Sequence, residues 1–152
     1  MEESVSREIV VRAGPERVFD AFTDIHDLLS WFADGAVIGR HAGGNWGLGW
    51  YADEESEEGY QVLGKIDVYE PGSRLVVRDL TFSTPEGEEL VGMRLSVDFA
   101  AADGGTRVTV RQEGLGSGPG WDGYVAGIGP GWDRSLADLR RWLEDGTKLP
   151  GR

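Results

Sequence analysis

Residues 59–82, GYQVLGKIDVYEPGSRLVVRDLTF, decide the fold class of this chain. Apolar side chains recur on one face of a predicted strand over 59–70, namely Tyr60, Val62, Ile66 and Val68. The sequence Glu70-Pro71-Gly72-Ser73 is typical of a tight turn with proline at its second position. The chain then returns over 74–82 as a second predicted strand. A connection this short requires the two strands to pair antiparallel, so the sequence predicts a hairpin.

The same two-residue period continues on both sides of this hairpin. The clearest downstream strand has an apolar face made of Val91, Met93, Leu95, Val97 and Phe99. A further strand follows a turn at 103–105, with Thr106, Val108 and Val110 on one face. Upstream, short strands are predicted over 5–12, over 36–40 and around Trp46, Leu48 and Trp50. Short turns between most of these strands predict neighbouring antiparallel pairs.

Three segments follow the helical period instead. Pro15 and Glu16 suit the first turn of a short helix, and a second short helix follows with its apolar stripe from Ile25 to Phe32. The C-terminal segment carries the longest apolar stripe, formed by Trp121, Tyr124, Val125, Ile128, Trp132, Leu136, Leu139 and Leu143. Because Pro130 lacks an N–H and stands among glycines, a break or a kink is predicted over 127–131 and the main helix over 130–144.

This order of elements predicts an α+β fold. One strand, two short helices and about six antiparallel strands precede one long helix. The sheet has one apolar face and one amphipathic helix is available to cover it, so we expect a curved antiparallel sheet of about six or seven strands wrapped around the C-terminal helix. A length of 152 residues suits a single domain over 1–152.

The charge and the cysteine content exclude several classes of function. Asp and Glu outnumber Lys and Arg by 27 to 15, and the formal net charge of −12 disfavours nucleic acids and anionic membranes as partners. There are no cysteines, so a thiolate metal site and a cysteine nucleophile are excluded. The N-terminal MEESVSREIVV lacks the apolar core of a signal peptide, and no apolar stretch is long enough for a membrane span. We therefore expect a cytoplasmic protein.

No metal or cofactor is expected. His26 and His41 have no second ligand at a metal-binding spacing, and both are predicted to lie at the surface. The acidic run over 53–58 lacks the ligand spacing and central glycine of a calcium loop, so it is predicted to be a solvated hairpin tip. The glycines within 47–52 match a loose dinucleotide fingerprint, but a strand and an acidic turn surround them instead of a strand and a helix.

Four stretches resemble, in the same order, segments of the START-like superfamily, also called SRPBCC. They are AGPERVFDAFTD (13–24), LSWF (29–32), VLGKIDVYEPGSRLVV (62–77) and Gly131-Trp132 followed by leucines at 136, 139 and 143. Within the superfamily, the chain looks like the branch of activator of heat-shock-protein-90 ATPase homologue-like proteins. The resemblance covers nearly the whole chain and implies the helix-grip fold, in which a curved sheet grips the C-terminal helix.

The resemblance implies a function class but no ligand. Superfamily members bind lipids, hormones or polyketides, and some are cyclases. We therefore expect a small hydrophobic ligand, a lipid or an aromatic or polyketide-like metabolite, in a cavity between the sheet and the C-terminal helix. A cyclase- or hydrolase-type enzyme is one alternative. A protein-interaction module, either a chaperone regulator, a stress-response partner or a homodimer, is another. Eukaryotic activators carry a separate chaperone-binding domain with no counterpart in this sequence, which argues against a co-chaperone role.

Nine residues are predicted to line such a cavity: Trp31, Phe32, Trp46, Trp50, Met93, Leu95, Tyr124, Ile128 and Trp132. Ordinary core packing is the alternative for each of them, although six tryptophans exceed what a compact core needs. Asp79 and Arg111 are candidate polar anchors, and alternation places Asp79 with Leu75 and Val77, whereas outward solvated charges are the alternative. The glycine-rich stretch 114–131 is either a mobile lid or a plain connection, and no catalytic residue is assigned.

Overall fold

The computed structural model describes residues 3–51 and 59–151, so the acidic run predicted as a hairpin tip at 53–58 lies outside the described residues. The elements in this part of the chain follow the order that the sequence predicts, with two short helices after the first strand. Their bounds are β1 (Glu3–Val11), α1 (Pro15–Thr23), α2 (Ile25–Trp31), β2 (Gly35–Ile38), β3 (Asn45–Tyr51), β4 (Gly59–Glu70), β5 (Arg74–Ser83), β6 (Glu89–Ala102), β7 (Gly105–Leu115) and α3 (Pro119–Asp145).

Within the described ranges, seven strands form one antiparallel sheet in the order β1-β7-β6-β5-β4-β3-β2. The segment 59–82 is the β4–β5 hairpin, with Glu70 opposite Arg74 across the predicted turn. The apolar face of the sheet, helices α1 and α2, and the long helix α3 enclose one cluster of buried side chains. The prediction of a curved antiparallel sheet with a long C-terminal helix, the helix-grip architecture, is confirmed.

Local hydrogen bonds join the two short helices to each other. Asp24 ends α1 with its backbone N–H on the carbonyl of Asp20, and its side chain accepts the backbone N–H of Asp27 to cap α2. The Trp31 indole then donates to the carbonyl oxygen of Ala21 at 2.8 Å. This bond ties the end of α2 to α1. It therefore places the next residue, Phe32, at the edge of the layer formed by α1 and α2, which we call the helix layer.

Bulges in the sheet overturn three side-chain directions that strict alternation predicts. A register shift between Val77 and Leu80 inserts Asp79, whose φ is 51°, and Leu80 rather than Asp79 is buried. In β6, Gly92 occupies the left-handed region with φ 83°, so Leu90 is buried and Val91 is 59% exposed. In β4, a shift between Ile66 and Val68 turns Tyr69 instead of Val68 onto the core. One extra residue in a strand turns every later side chain of that strand to the opposite face of the sheet.

Helix α3 is longer than the sequence predicts. Of the predicted break or kink at 127–131, the break is wrong and the helix begins at Pro119 instead of near Pro130, because α3 is continuous over 27 residues with Pro130 inside it. Only residues 116–118 connect β7 to α3, so the glycine-rich stretch forms half of a helix and is not a lid loop. Trp121, Tyr124, Val125 and Ile128 pack against the core in this half, and that burial outweighs the poor helix propensity of the glycines and the proline. No helix in the described ranges is long and apolar enough to cross a membrane.

The position of α3 explains why part of the concave face stays uncovered. The helix lies against β1 and the α2 end of the helix layer. Arg7 of β1 pairs with Asp133 of α3 at 3.0 Å, and its guanidinium lies against Gly129 of the same helix. Because α3 is held toward β1, at one edge of the sheet, a space opens between the helix and the strands near the other edge.

Candidate functional site

A groove of about 270 Å³ opens between α3 and strands β3 to β7 of the sheet, and Phe32 also lines it. We call it the α3 groove. Its residues are Phe32, Trp46, Leu48, Trp50, Val62, Leu80, Phe82, Leu95, Gln112, Tyr124, Ile128, Gly131, Trp132, Arg134, Ser135 and Asp138. Most of these side chains are aliphatic or aromatic, as in pockets that take small apolar molecules.

The aromatic walls of the α3 groove are fixed by hydrogen bonds that point away from it. Trp46 donates its indole N–H to the carbonyl of Phe22 at 2.9 Å, and Trp50 donates to the carbonyl of Phe32 at 2.7 Å. Phe32 packs edge-on against Trp50 and tilted against Trp132, with ring centroids 5.4 and 5.3 Å apart. Because the polar atoms of Trp46 and Trp50 are occupied on the protein side, these rings present apolar surface to the groove.

One buried polar network reaches the interior of the α3 groove. Gln112 is 2% exposed, and its Oε1 accepts the indole N–H of Trp132 at 3.0 Å. Its Nε2 donates to the Tyr124 hydroxyl oxygen at 2.6 Å and to the Met93 sulfur at 3.3 Å. Burial raises the pKa of the Tyr124 hydroxyl to about 12, against the opposing effect of the hydrogen bond from Gln112. The hydroxyl therefore stays protonated over the physiological range.

The mouth of the α3 groove is polar and lies along one stripe of α3. Arg134, Ser135 and Asp138 line it. Asp138 pairs with Arg141 one turn further along the helix. Arg134 is exposed and forms no ion pair with any residue in the described ranges. The groove therefore combines an apolar interior, one buried hydrogen-bonding network and a charged rim.

The structure brings most of the predicted pocket residues together. Seven of the nine line the α3 groove: Phe32, Trp46, Trp50, Leu95, Tyr124, Ile128 and Trp132. The other two, Trp31 and Met93, are each 1% exposed and lie behind the wall. Trp31 stacks on Phe32 with ring centroids 4.6 Å apart, and Met93 contacts Gln112 through its sulfur. Both support the lining residues instead of facing the groove.

The two predicted polar anchors lie outside the α3 groove. Asp79 sits in the β5 bulge with its side chain 74% exposed and paired with Arg78 at 2.6 Å. The expectation that alternation turns Asp79 inward is wrong, because the bulge gives that place to Leu80. Arg111 is 56% exposed on the outer face of β7, where it pairs with Glu113 at 3.4 Å. Outward solvated charges, the alternative in the sequence analysis, describe both residues.

Sequence reasoning missed the polar residues that do reach the groove. Gln112 continues the inward positions of Val108 and Val110 in β7, so alternation alone would have indicated it. Ser135 and Asp138 lie three and six residues after Trp132 within the predicted main helix, so helical spacing from this predicted lining residue would have indicated them. Phe82 and Leu80 required the bulged register of β5.

One group of side chains in the described ranges has the composition of a metal site. Ligand atoms of Asp24, His26 and Asp27 all lie within 4.8 Å of one another. Both carboxylate oxygens of Asp27 already accept hydrogen bonds, from Arg17 at 2.7 and 2.9 Å and from Trp142 at 3.0 Å. A carboxylate with these partners serves as the acceptor of a structural network, so the group does not fit a metal ion.

Comparisons with known proteins agree with the fold. A sequence model of the family described as activator of Hsp90 ATPase homolog 1-like protein matches residues 12–144. No curated protein matches the chain. Among solved structures, CV1439 from Chromobacterium violaceum is 23% identical, with a TM-score of 0.71 over 93% of this chain and 98% of that one. The Aha1 dimer from Colwellia psychrerythraea is 17% identical, with a TM-score of 0.72 over 95% and 98% of the two chains.

A third similar structure is larger than this chain. DynU16, from the dynemicin biosynthetic locus, is 22% identical with a TM-score of 0.73 over 95% of this chain. The match spans 48% of the DynU16 chain. Likeness at this level of identity establishes the shared fold and leaves function to the site.

Proposed function

The chain belongs to the family of activator of Hsp90 ATPase homolog 1-like proteins, and from that premise we propose that it binds a small, mostly apolar molecule in the α3 groove. The observation that carries the proposal is the groove itself, an aromatic-walled space of about 270 Å³ beside a helix that is held toward the sheet edge at β1. A cytoplasmic location, expected from the sequence, is part of the same proposal.

The size and walls of the α3 groove restrict its occupant. Its volume lies near the lower end of the range for small-molecule pockets, which suits a compact body of two or three rings or a short acyl chain. Trp50, Phe32 and Trp132 offer ring faces and edges to such a body. Aromatic contacts of this kind add to the free energy gained by burying apolar surface.

The polar groups of the α3 groove favour binding over catalysis. Asp138 is paired with Arg141, and the raised pKa of Tyr124 makes that hydroxyl a poor base. Neither His26 nor His41 lines the groove. The cyclase- or hydrolase-type alternative requires a nucleophile and a base that face the substrate, and the lining residues of that kind, Ser135 and Asp138, lie at the polar mouth instead of the apolar interior.

A large side chain placed inside the groove tests this proposal. Ile128 lines the groove from α3, so Ile128→Trp fills space that a ligand would occupy. We expect the neutral fluorophore N-phenylnaphthylamine to bind the wild-type protein with an increase in fluorescence. We expect it to bind Ile128→Trp at least about tenfold more weakly, because the apolar surface of roughly half of one fluorophore ring would no longer be buried. Ala126→Trp is the matched control, because Ala126 is exposed on the same helix.

Native mass spectrometry of the purified protein, repeated after denaturation, supplies an independent reading. A small-molecule mass present only in the native spectrum supports the proposal and identifies the occupant. The proposal fails if the fluorophore gives no saturable signal with the wild-type protein, or if Ile128→Trp and Ala126→Trp bind it equally well.

A second candidate function, self-association, is favoured by the outer face of the sheet near its β2 edge. Val37, Leu63 and Tyr51 are 63, 53 and 38% exposed there, around the glycines of β3. In the described ranges, β2 pairs only with β3 and leaves its other edge free. The Aha1 structure from Colwellia psychrerythraea is a dimer, and we propose that a second copy of this chain covers the patch.

Sedimentation velocity tests the second candidate. We expect the wild-type protein to sediment as a dimer and Val37→Lys to sediment as a monomer, because a charge on an edge strand opposes pairing. Val91→Lys is the control, since Val91 is 59% exposed on the outer side of β6, away from the patch. A monomeric wild-type protein, or a Val37→Lys variant that remains dimeric, would contradict the candidate.

A further inference from the structure

In the hydrogen-bond network inside the α3 groove, the chemistry of each group determines which atom donates and which accepts. An indole nitrogen carries a hydrogen and only donates. The Gln112 atom that lies 3.0 Å from Trp132 Nε1 must therefore be the amide oxygen. The amide nitrogen of Gln112 then faces the Tyr124 hydroxyl at 2.6 Å and the Met93 sulfur at 3.3 Å. The orientation of this amide follows from its partners and not from a choice between two similar atoms.

The orientation of the Gln112 amide also fixes which hydrogen bonds the Tyr124 hydroxyl accepts and donates. An amide nitrogen only donates, so the Tyr124 oxygen accepts from it, and the hydroxyl hydrogen of Tyr124 must point elsewhere. Gln112 is the hydrogen-bond partner that the described residues provide for this hydroxyl. Because burial raises the pKa of Tyr124 to about 12, the hydrogen remains on the oxygen at neutral pH. A polarised donor thus stands in a groove whose other inner walls are apolar.

We propose that the α3 groove selects ligands that carry a carbonyl oxygen on an apolar ring body, and that the Tyr124 hydroxyl donates a hydrogen bond to that oxygen. Gln112 is a positioning residue, because it holds Tyr124 as a donor, and the indole N–H of Trp132 fixes the orientation of the Gln112 amide. A ligand without an acceptor leaves this donor unsatisfied in an apolar site, which lowers its affinity. A ligand that offers only a donor meets an oxygen already engaged by Gln112. This inference rests on the proposed function and adds the chemical class of the ligand.

Two probes of matched shape test the inference. Acetylnaphthalene and isopropenylnaphthalene, substituted at the same ring position, differ in having a carbonyl oxygen or a methylene group at one atom. Their dissociation constants are measured by isothermal titration calorimetry for the wild-type protein, for Tyr124→Phe and for the control Tyr51→Phe. Tyr51 carries its hydroxyl on the outer face of the sheet, near Gly49, so its loss leaves the groove unchanged.

We expect Tyr124→Phe to weaken binding of the ketone relative to the alkene by about threefold to tenfold, the effect of one neutral hydrogen bond. The affinity of Tyr124→Phe for the alkene should equal or exceed that of the wild-type protein, because the variant has no hydroxyl to leave unsatisfied, and retained binding shows that the variant groove is folded. Tyr51→Phe should change neither value. If both probes bind and their ratio is the same in the wild-type protein and Tyr124→Phe, the carbonyl preference is wrong while the apolar groove stands. If neither probe binds the wild-type protein, the proposed function fails and this inference fails with it.

Discussion

Trp46→Ala is expected to lower the free energy of unfolding by about 3–5 kcal/mol, the range for deleting a large buried aromatic side chain. Trp46 is 1% exposed, and its ring forms part of the wall between the core and the α3 groove. The substitution removes this ring and also the hydrogen bond to the carbonyl of Phe22 at 2.9 Å. That carbonyl belongs to the last turn of α1, so losing the hydrogen bond also loosens the contact between α1 and β3.

Urea unfolding followed by circular dichroism measures the effect, with Trp50→Ala as the matched variant on the same strand. Trp50 also donates to a carbonyl, that of Phe32, but its side chain is less completely buried than that of Trp46. We therefore expect Trp50→Ala to cost less than Trp46→Ala, because the Trp50 ring removes less area from water. Equal losses for the two variants would show that the ring of Trp46 is not the better buried of the pair in solution.

The predictable part of this fold is the part that repeats. Two-residue alternation along β4 to β7 and the helical stripe of α3 each involve many residues, so one exception does not hide the period. The turn Glu70-Pro71-Gly72-Ser73 added a local signal that set the hairpin register at its closed end. Because the sheet has one apolar face and α3 has one apolar stripe, their packing followed with few alternatives.

The failures came from single residues that change the direction or the continuity of the residues after them. Nothing in the local composition around Asp79 distinguishes a bulge from a regular strand, yet its left-handed φ of 51° exchanges the directions of Asp79 and Leu80. Pro130 gave a correct local preference that tertiary packing of the α3 stripe outweighed. The first error had a consequence for the site, because it supplied a false polar anchor.

The chemistry of the groove was the least predictable feature. The seven lining residues that were found are large and apolar, and such residues are placed by periodicity. Gln112, Tyr124 and Trp132 form a network only because β7 and two turns of α3 come together, and their sequence separations of 12 and 20 residues carry no pattern. A hydrogen-bond direction depends on three partners at once, so it becomes visible only in the folded chain.

Asp27 is the residue whose removal we expect to loosen the whole helix layer. Its carboxylate is 5% exposed and accepts two hydrogen bonds from Arg17 of α1 and one from Trp142 of α3, so it joins all three helices. Removing one partner of a buried ion pair costs about 3–5 kcal/mol, and the half-exposed Arg17 regains water, so we expect about 2–3 kcal/mol for Asp27→Ala. Asp98→Ala is the control, because Asp98 and Arg74 are both exposed and such pairs contribute about 1 kcal/mol or less.

The pKa of Asp27 determines how its contribution to the free energy of unfolding changes with pH. Burial by itself would raise the pKa of Asp27, but the hydrogen bonds from Arg17 and Trp142 and the charge of Arg17 together hold that pKa below its ordinary value of 3.8. A carboxyl whose pKa is lower in the folded chain contributes its full stability above the unfolded value and loses it as the pH falls through the folded value.

Unfolding curves between neutral and strongly acid pH separate this contribution from those of the other carboxyls. The difference in stability between the wild-type protein and Asp27→Asn should be constant above about pH 5 and should shrink below about pH 4. A constant difference down to the lowest pH would mean that the charge of Asp27 contributes nothing beyond its shape. The expected convergence would place an ionised Asp27 at the junction that holds α3 on one side, opposite the Arg7–Asp133 pair on the other. The Arg7–Asp133 pair is exposed and contributes about 1 kcal/mol or less, so the buried Asp27 network is the stronger of the two contacts that fix α3 beside the α3 groove.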